Sequence, residues 1–539
     1  MRRLSLQSPL SHFLLTMAVI VLVRPGGDAS VLHGKLIDPD SYMRLVRIRD
    51  TTGHWFADIV TRDQSGRGVI IPWSHVFDAP IVALSAVVPL YWAGALVGLF
   101  SVGLLGMAAA WAVKPLAPAG WLWITPVAIA TTAPVINYGQ PGCVTHHVLL
   151  AALAAAAWGA GARAAFGDRR AGYLTGLFAG LGIWVSPEAM PFALMAVVAI
   201  AFSWTLAPSR PTAKAVAACD TALVATLAIA LVLDPPHAGV AAPELDRLSI
   251  VFLVQALIIG ALSCLPLVLT PARSMSARFL VLGTAGLGGA ALWLALFPAY
   301  VHGLAGLMTP EQAKDFFGKI QEMQPMSTPT RVALFGLPGL LATLGPLAMA
   351  AANAATLRRA LWLFAATCCL ASLTLAFVHI RFAIYPAVAA AMAPPLLIAA
   401  VNHTSHSALL RPALLALFLG APPVSGSLLA TPAETALMKQ CDLAAAAPVL
   451  APYSGAVVLT NVNDGPELLY RTSIKIVGSL YHSGIPGFMR LRAAWRARNL
   501  DQPPPELRAT GAQYVLACPG SSRPGLLDGP PTTLFDRLK

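Results

Sequence analysis

Thirteen apolar runs divide this chain of 539 residues and leave few folds open to it. Their centres lie near residues 17, 98, 127, 154, 179, 198, 224, 259, 290, 341, 369, 391 and 420. A helix that crosses a bilayer needs about 20 apolar residues. The runs are continuous rather than alternating, which favours helices over a β-barrel. With 57% hydrophobic and only 11% charged residues, the sequence predicts an α-helical polytopic membrane protein with about 13 transmembrane helices.

The placement of basic residues predicts the topology. Basic residues in short loops stay on the cytoplasmic side of a membrane, and here they follow alternate apolar runs. They include Lys114, Arg163, Arg210, Arg273, Arg358 and Arg411. The N-terminus is then cytoplasmic, with Phe13 to Val23 as a retained first helix rather than a cleaved signal peptide. The Ala/Arg/Pro-rich composition suggests a bacterial inner membrane.

The same pattern accounts for the net charge of +12. No basic run is interleaved with aromatic residues, so we expect no nucleic-acid partner. The remaining loops are external, and two of them, about 25–80 and 301–328, are too long to be simple connectors.

We expect a transmembrane domain over residues 1–430 and a small periplasmic α/β domain over 431–539. The second part has strand-like runs at 456–460, 475–480 and 514–518, with helical stretches near 467–471 and 487–498. The seven cysteines have no zinc-binding spacing. Cys441 and Cys518 both lie in this external part, where a disulfide between them is plausible.

Asp38-Pro39-Asp40, in the first long loop, places two acids near a membrane in a chain with only 24 acidic residues. Carboxylates there are costly unless a metal, an arginine or a substrate cation holds them. Asp-Pro is also a common start of a helix, so Asp38 or Asp40 could simply cap one. The stretch Tyr42–Arg47 predicts a short amphipathic helix on the membrane surface.

Four polar groups, distant in sequence, all fall on the external side of the predicted topology. They are Asp38 with Asp40, His146 with His147, Glu322, and Arg381 with Tyr385. Carboxylates hold Mg²⁺ or Mn²⁺, and arginine grips phosphate oxygens. Together these groups suit a divalent cation and an anionic phosphate.

Each group also has a simpler interpretation. The histidines could be interfacial side chains, Glu322 could be a solvated loop acid, and Arg381 could extend to lipid headgroups. Glu188, at the outer end of another helix, could join the site or cap that helix. The joint placement of the groups favours a site.

The motifs resemble those of the catalytic subunit of oligosaccharyltransferase and its bacterial and archaeal relatives, which are C-class glycosyltransferases. Residues 37–44 match the motif that opens the first external loop in that family. Residues 142–147 occupy the place of a Gly-x-x-Asp motif, and 320–325 resemble a Ser-x-x-Glu motif followed by Gln-Pro. Residues 381–385 are similar to the family's Arg-Phe-x-x-Tyr segment. About thirteen spans with an external C-terminal domain is also the family architecture.

The resemblance implies a glycosyltransferase that moves a sugar or oligosaccharide from a polyprenyl-phosphate or pyrophosphate donor to an acceptor at the periplasmic face. It implies three sets of site residues. The catalytic set is Asp38, Asp40 and Glu322. The set that holds Mg²⁺ or Mn²⁺ is Asp38, His147 and Glu322. The set that contacts the donor phosphates is Arg381, His146, His147, Arg44 and Tyr385.

The chain departs from the family pattern at two points. Thr145 stands where the family has an aspartate ligand, so either His147 substitutes for it or the site differs. The Trp-Trp-Asp signature that reads the Asn-x-Ser/Thr sequon is absent from the C-terminal part. The acceptor could therefore be a lipid, a glycan or a protein.

Two other functions remain open. A transporter or flippase of lipid-linked glycans would place ionisable residues along a path through the bilayer midplane, whereas here they cluster at one face. A polysaccharide polymerase or ligase would do similar chemistry, typically with one large external loop. Both agree less well than the transferase with an Asp motif after the first helix.

Overall fold

The structure, a computed structural model, describes residues 7–23, 31–50, 58–269, 274–318, 320–402, 412–413, 416–429, 442–498, 504–517 and 533–534. The predicted pairing of Cys441 with Cys518 lies outside these residues.

Helices make up most of the described chain. Nine of them are long and apolar enough to cross a membrane. They span Leu90–Val113, His147–Ala164, Pro187–Leu206, Arg210–Leu233, Ile250–Val268, Met275–Leu296, Pro329–Ala352, Thr356–Val378 and Ile380–Val401. A tenth candidate is a pair, Ala119–Thr131 and Ala133–Gly139, bent by 65°, with Pro134 in the first turn of the second helix.

The other three predicted spans are shorter helices, Pro9–Val23, Arg169–Val185 and Ala416–Leu429. Each of the thirteen predicted centres therefore lies in a helix, and the α-helical polytopic fold is confirmed. Further helices run over Pro39–Asp50, Asp78–Ser85, Pro310–Phe317, Leu443–Leu450, Gly465–Arg471, Ile485–Arg496 and Pro505–Arg508.

Small residues let the membrane helices pack closely, as is usual where apolar burial cannot drive association. A Cβ added to Gly176 would lie 1.9 Å from the carbonyl oxygen of Cys219, on the neighbouring helix. A Cβ added to Gly98 would lie 2.1 Å from the carbonyl oxygen of Cys143. This second approach brings the Leu90–Val113 helix against the backbone that leads to His146 and His147.

The C-terminal part forms the predicted α/β structure. A hairpin of β1 (Ile59–Val60) and β2 (Val69–Ile70) lies in the first loop. Three later strands, β3 (Val457–Leu459), β4 (Lys475–Ile476) and β5 (Tyr514–Val515), form a parallel sheet in the order β4-β3-β5. The Gly465–Arg471 helix connects β3 to β4, and the Ile485–Arg496 helix lies between β4 and β5.

The Pro39–Asp50 helix lies inside the protein. The sequence predicts it on the membrane surface, and that position is wrong, because eight of its 12 residues are buried. Met43 and Val46 pack into a core with Val458 and Ile476 of the sheet. On another side of the helix, Leu45 and its neighbours pack against the start of the Leu90–Val113 helix. The helix therefore joins the C-terminal sheet to the membrane helices.

Two arginines are buried on this helix, and one carboxylate compensates both. Arg44 Nη1 donates to Asp78 Oδ1 over 2.6 Å, and Arg47 donates to Asp78 Oδ2. The side chains of Arg44 and Arg47 are each 1% exposed, and that of Asp78 is 4% exposed. A buried charge is tolerated only when it is paired and hydrogen-bonded.

A second buried network ties the first loop to residues 234–247. Arg247 donates to Asp58 over 2.6 Å and to Asp234 over 2.9 Å. His75 Nδ1 lies 2.7 Å from Asp234 Oδ1, and Trp184 Nε1 donates to the other oxygen of that carboxylate over 3.0 Å. This network holds the first loop against two further segments.

We expect Asp78→Ala to lower the free energy of unfolding by about 3–5 kcal/mol, because it leaves two buried guanidinium groups without their shared carboxylate. Equilibrium unfolding in mixed detergent micelles measures this. The exposed acid Glu311 provides a control, since Glu311→Gln should change stability by less than about 0.5 kcal/mol. Wild-type stability of Asp78→Ala would contradict the proposed importance of the ion pair.

Candidate functional site

Asp38 is the N-cap of the Pro39–Asp50 helix, with proline at the first helical position. Its Oδ1 accepts from the backbone N–H of Ser41 over 2.7 Å, and its Oδ2 accepts from Ser41 Oγ over 2.9 Å. Burial of the carboxyl raises the pKa of Asp38, and the bonds from Ser41 oppose this. The capping interpretation thus describes the geometry of Asp38, while its carboxylate also stands beside the segment that carries His147.

Ser41 connects this helix to that segment. The backbone N–H of Val144 donates to Ser41 Oγ over 2.7 Å, and Arg44 Nε donates to the Val144 carbonyl over 3.0 Å. Both backbone groups of Val144 are therefore held by the helix that begins after Asp38. This fixes the distance between Asp38 and the histidine pair that follows Val144.

Asp40 faces the C-terminal part of the chain. Tyr481 Oη donates to Asp40 Oδ1 over 2.6 Å. Burial raises the pKa of Asp40 to about 6, with repulsion from Asp38 and Glu322 adding to it. The three predicted catalytic carboxylates consequently lie within one electrostatic environment.

His146 stands against Arg44. Arg44 Nη2 lies 2.9 Å from His146 Nδ1, which must accept this bond, and so the proton of a neutral ring is on Nε2. That Nε2 lies 4.0 Å from Glu188 Oε1. Burial lowers the pKa of His146 well below its ordinary value, and the nearby His147 and Arg44 lower it further. The guanidinium of Arg44 also lies 4.4 Å from the ring centre of Trp73, so this arginine is enclosed on several sides.

Glu188 lies between His147 and Arg381. His147 Nδ1 is 3.0 Å from Glu188 Oε1, and Arg381 Nη2 is 2.5 Å from Glu188 Oε2. From the sequence, this glutamate was as good a candidate for a helix cap as for a site residue. Its position follows from a break between two helices. The Arg169–Val185 helix ends with Ser186 as its C-cap, and a new helical turn begins at Pro187.

His146, His147 and Glu188 form a group that could hold a metal ion, since one ligand atom from each lies within 4.8 Å of the others. Two imidazoles and a carboxylate suit a divalent transition metal better than Mg²⁺, which prefers oxygen ligands.

Glu322 completes this cluster from the loop after the Pro310–Phe317 helix. Its Oε2 accepts from Tyr138 Oη over 3.1 Å, and its Oε1 lies 3.9 Å from Arg381 Nη2. The loop is fixed to the segment of Arg381, because Ile380 N–H donates to the Gln324 carbonyl over 3.1 Å. Among the described residues, Arg381 Nε is buried and has no hydrogen-bond partner.

Tyr385, a predicted phosphate contact, and Thr145, at the position of the family's aspartate, are both buried. Tyr385 is 2% exposed, and its ring stacks on Phe192 with centres 3.5 Å apart. Thr145 Oγ1 donates to the Tyr138 carbonyl over 3.5 Å, so its hydroxyl already has a partner within the loop. The sequence assigned no role to Tyr138 or Tyr481, because the acids that they contact, Glu322 and Asp40, lie far away along the chain.

No protein-family model and no curated protein sequence matches the chain. Solved structures of archaeal oligosaccharyltransferases do. The enzyme AglB from Archaeoglobus fulgidus, in complex with an inhibitory peptide and a dolichol-phosphate, has a TM-score of 0.63 and 14% identity over 94% of this chain and 69% of its own. The oligosaccharyltransferase of that organism in complex with Zn and sulfate gives 0.61 and 13%, over 94% and 67%.

A third structure of the Archaeoglobus fulgidus oligosaccharyltransferase, tethered to an acceptor peptide containing the NVT sequon, has a TM-score of 0.66 and 14% identity. It covers 94% of this chain and 68% of its own. These similarities extend over nearly the whole chain, and the expectation from the motifs is confirmed at the level of fold: this chain has the fold of the oligosaccharyltransferases.

Proposed function

We propose that the chain is a membrane glycosyltransferase of the oligosaccharyltransferase type. It takes a sugar or oligosaccharide from a polyprenyl-phosphate or pyrophosphate donor and transfers it to an acceptor at the periplasmic face. The observation that carries the proposal is the meeting of Arg381 with Glu188 and Glu322, and of Glu188 with His147, from segments far apart in sequence. An arginine beside a candidate cation site suits a lipid-linked phosphate.

Arg381 is the residue that we assign to the donor phosphate. One nitrogen, Nη2, is held by Glu188, and the side chain is still 22% exposed, so the guanidinium can also be reached by an oxyanion. The N–H at Nε2 of His146 is a second donor in this region. Arg44 and Tyr385 are buried, so we assign them supporting roles: Arg44 holds His146, and Tyr385 packs beneath the Arg381 segment.

Asp38, His147 and Glu322 would hold a divalent cation. Glu188 is not in this set, because its two carboxylate oxygens already hold His147 Nδ1 and Arg381 Nη2. Mn²⁺ is a better match than Mg²⁺ for a set that includes imidazole. When bound, the cation would neutralise charge that develops on the departing phosphate. The archaeal enzyme of the same fold that is complexed with Zn and sulfate supports binding of a divalent ion and an oxyanion. Asp38, or in second place Asp40, then acts on the acceptor nucleophile, while Glu322 orients the acceptor.

We also propose that residues 1–430 form the membrane domain and 431–539 a periplasmic domain, with the N-terminus in the cytoplasm. The bond from Tyr481 to Asp40 supports this, because it brings the C-terminal part to the proposed active face. The acceptor is a lipid, a glycan or a protein. The acceptor peptide tethered to the archaeal enzyme supports a peptide, and the missing Trp-Trp-Asp signature weighs against the same sequon.

Asp38→Ala and Asp38→Ser separate catalysis from helix capping. Serine is as good an N-cap as aspartate, whereas alanine costs about 1 kcal/mol. We expect both variants to insert and express normally and to lose at least about 100-fold in transfer rate, measured with a lipid-linked donor extract from the native host. Normal transfer by Asp38→Ser together with a defect in Asp38→Ala would show that Asp38 serves only as a cap.

Removal of divalent cations should stop transfer. We expect dialysis against EDTA to reduce sugar transfer to background, and Mn²⁺ to restore it at lower concentration than Mg²⁺, because the proposed ligands include imidazole. The measurement is transfer rate against free cation concentration. Transfer that resists chelation would mean that Thr145 marks a metal-independent site.

Arg381→Lys should raise the KM for the donor by about 10-fold or more, because lysine keeps the charge but cannot hold Glu188 and a phosphate at once. The exposed arginine Arg359 offers a control of the same chemistry, and Arg359→Lys should leave KM unchanged. Equal donor KM values in wild type and Arg381→Lys would exclude a phosphate role for Arg381.

A further inference from the structure

We propose that Glu188 is a positioning residue that couples the cation site to the donor-phosphate site. This inference rests on the proposed function and assigns a role that the motif resemblance does not include. The two oxygens of its carboxylate have different partners. Oε1 holds His147 Nδ1 over 3.0 Å, and Oε2 holds Arg381 Nη2 over 2.5 Å. The same side chain thus orients one residue of each proposed site.

The contact with His147 sets which ring nitrogen can bind a cation. In a neutral ring, a carboxylate that accepts from Nδ1–H leaves Nε2 unprotonated, with its lone pair available to a metal. No described residue forms a hydrogen bond with His147 Nε2. The arrangement is the carboxylate–histidine pair that commonly supports metal-bound histidines.

The contact with Arg381 sets the position of the guanidinium. Glu188 is the nearer of its two acidic neighbours, at 2.5 Å compared with 3.9 Å for Glu322. Without Glu188, the guanidinium would be drawn towards Glu322 and would compete with a cation for that carboxylate. Glu188 therefore keeps Glu322 available while holding Arg381 in place.

The alternative role for Glu188 is to stabilise the helix that begins at Pro187, by placing a negative charge near the positive end of the helix dipole. In that role an acid in the first turn interacts with free backbone N–H groups. The partners of Glu188 are instead the side chains of His147 and Arg381, with His146 Nε2 at 4.0 Å. The surroundings are also closed, since the Glu188 side chain is 15% exposed.

Two substitutions distinguish these roles. Glu188→Asp keeps an acid at the helix start but is one methylene too short to reach both partners. Glu188→Gln keeps the length but loses the charge that holds Arg381 and fixes the proton of His147. Positioning predicts that both variants are defective, whereas a helix-dipole role predicts that Glu188→Asp is normal. Glu311→Gln, at an exposed acid in the first turn of another helix, is the matched control.

The test uses the full chain purified in detergent, with two binding probes. Mn²⁺ alone is titrated by electron paramagnetic resonance, and farnesyl pyrophosphate by calorimetry. We expect Glu188→Gln and Glu188→Asp to weaken Mn²⁺ binding by about 10- to 100-fold, as the loss of an outer carboxylate does at metal–histidine sites. We expect both variants to weaken pyrophosphate binding as well, because the guanidinium of Arg381 is no longer held in place. Glu311→Gln should match wild type. Thermal unfolding confirms that each variant is folded. If Glu188→Gln does not fold, Glu188→Asp alone tests the inference.

Wild-type affinity of Glu188→Asp for both probes would overturn the inference, and so would a wild-type chain that binds no Mn²⁺. Neither binding measurement requires sugar transfer. The chain could transfer no sugar while the Glu188 substitutions still weaken Mn²⁺ and pyrophosphate binding. That result would support the inference and overturn only the proposed function.

Discussion

The buried guanidinium of Arg44 holds together the elements that form the site. It donates to Asp78, to the Val144 carbonyl and to His146, and so joins three parts of the chain at one point. Moving such a group out of water costs several kcal/mol, which the charge pairing and hydrogen bonds must offset. Asp38 and Asp40 begin the helix that carries Arg44, so their distance from the histidine pair is set by these bonds.

From Arg44, a series of contacts continues through basic and acidic side chains. His146 accepts a hydrogen bond from Arg44. The carboxylate of Glu188 contacts both His147 and Arg381. Glu322 lies on the other side of Arg381 and accepts a hydrogen bond from Tyr138. Each positive group has an acidic neighbour, which limits repulsion within a poorly hydrated region. A phosphate and a cation that bind together would leave this balance nearly unchanged, whereas either alone would disturb it.

The fold was largely predictable because the membrane and the sheet impose simple patterns. All thirteen apolar runs, with centres from residue 17 to residue 420, lie in helices, and the strand-like runs near 457, 475 and 514 predicted the C-terminal sheet. The position of the Pro39–Asp50 helix was not predictable, because two arginines usually indicate exposure and their partner, Asp78, lies some 30 residues away. The contacts of Glu188 with His147 and Arg381 were not predictable for the same reason, since only tertiary packing brings these residues together.

If the cluster of acids around Arg381 is a transferase site, this chain consumes a polyprenyl-linked sugar in the cell. Mass spectrometry can follow lipid-linked sugars and glycosylated lipids, glycans and proteins in cells that lack the chain, compared with complemented cells. We predict that one polyprenyl-linked sugar accumulates and one glycosylated product disappears, and that the wild-type chain reverses both changes. Identical profiles in the two strains would contradict the proposed activity.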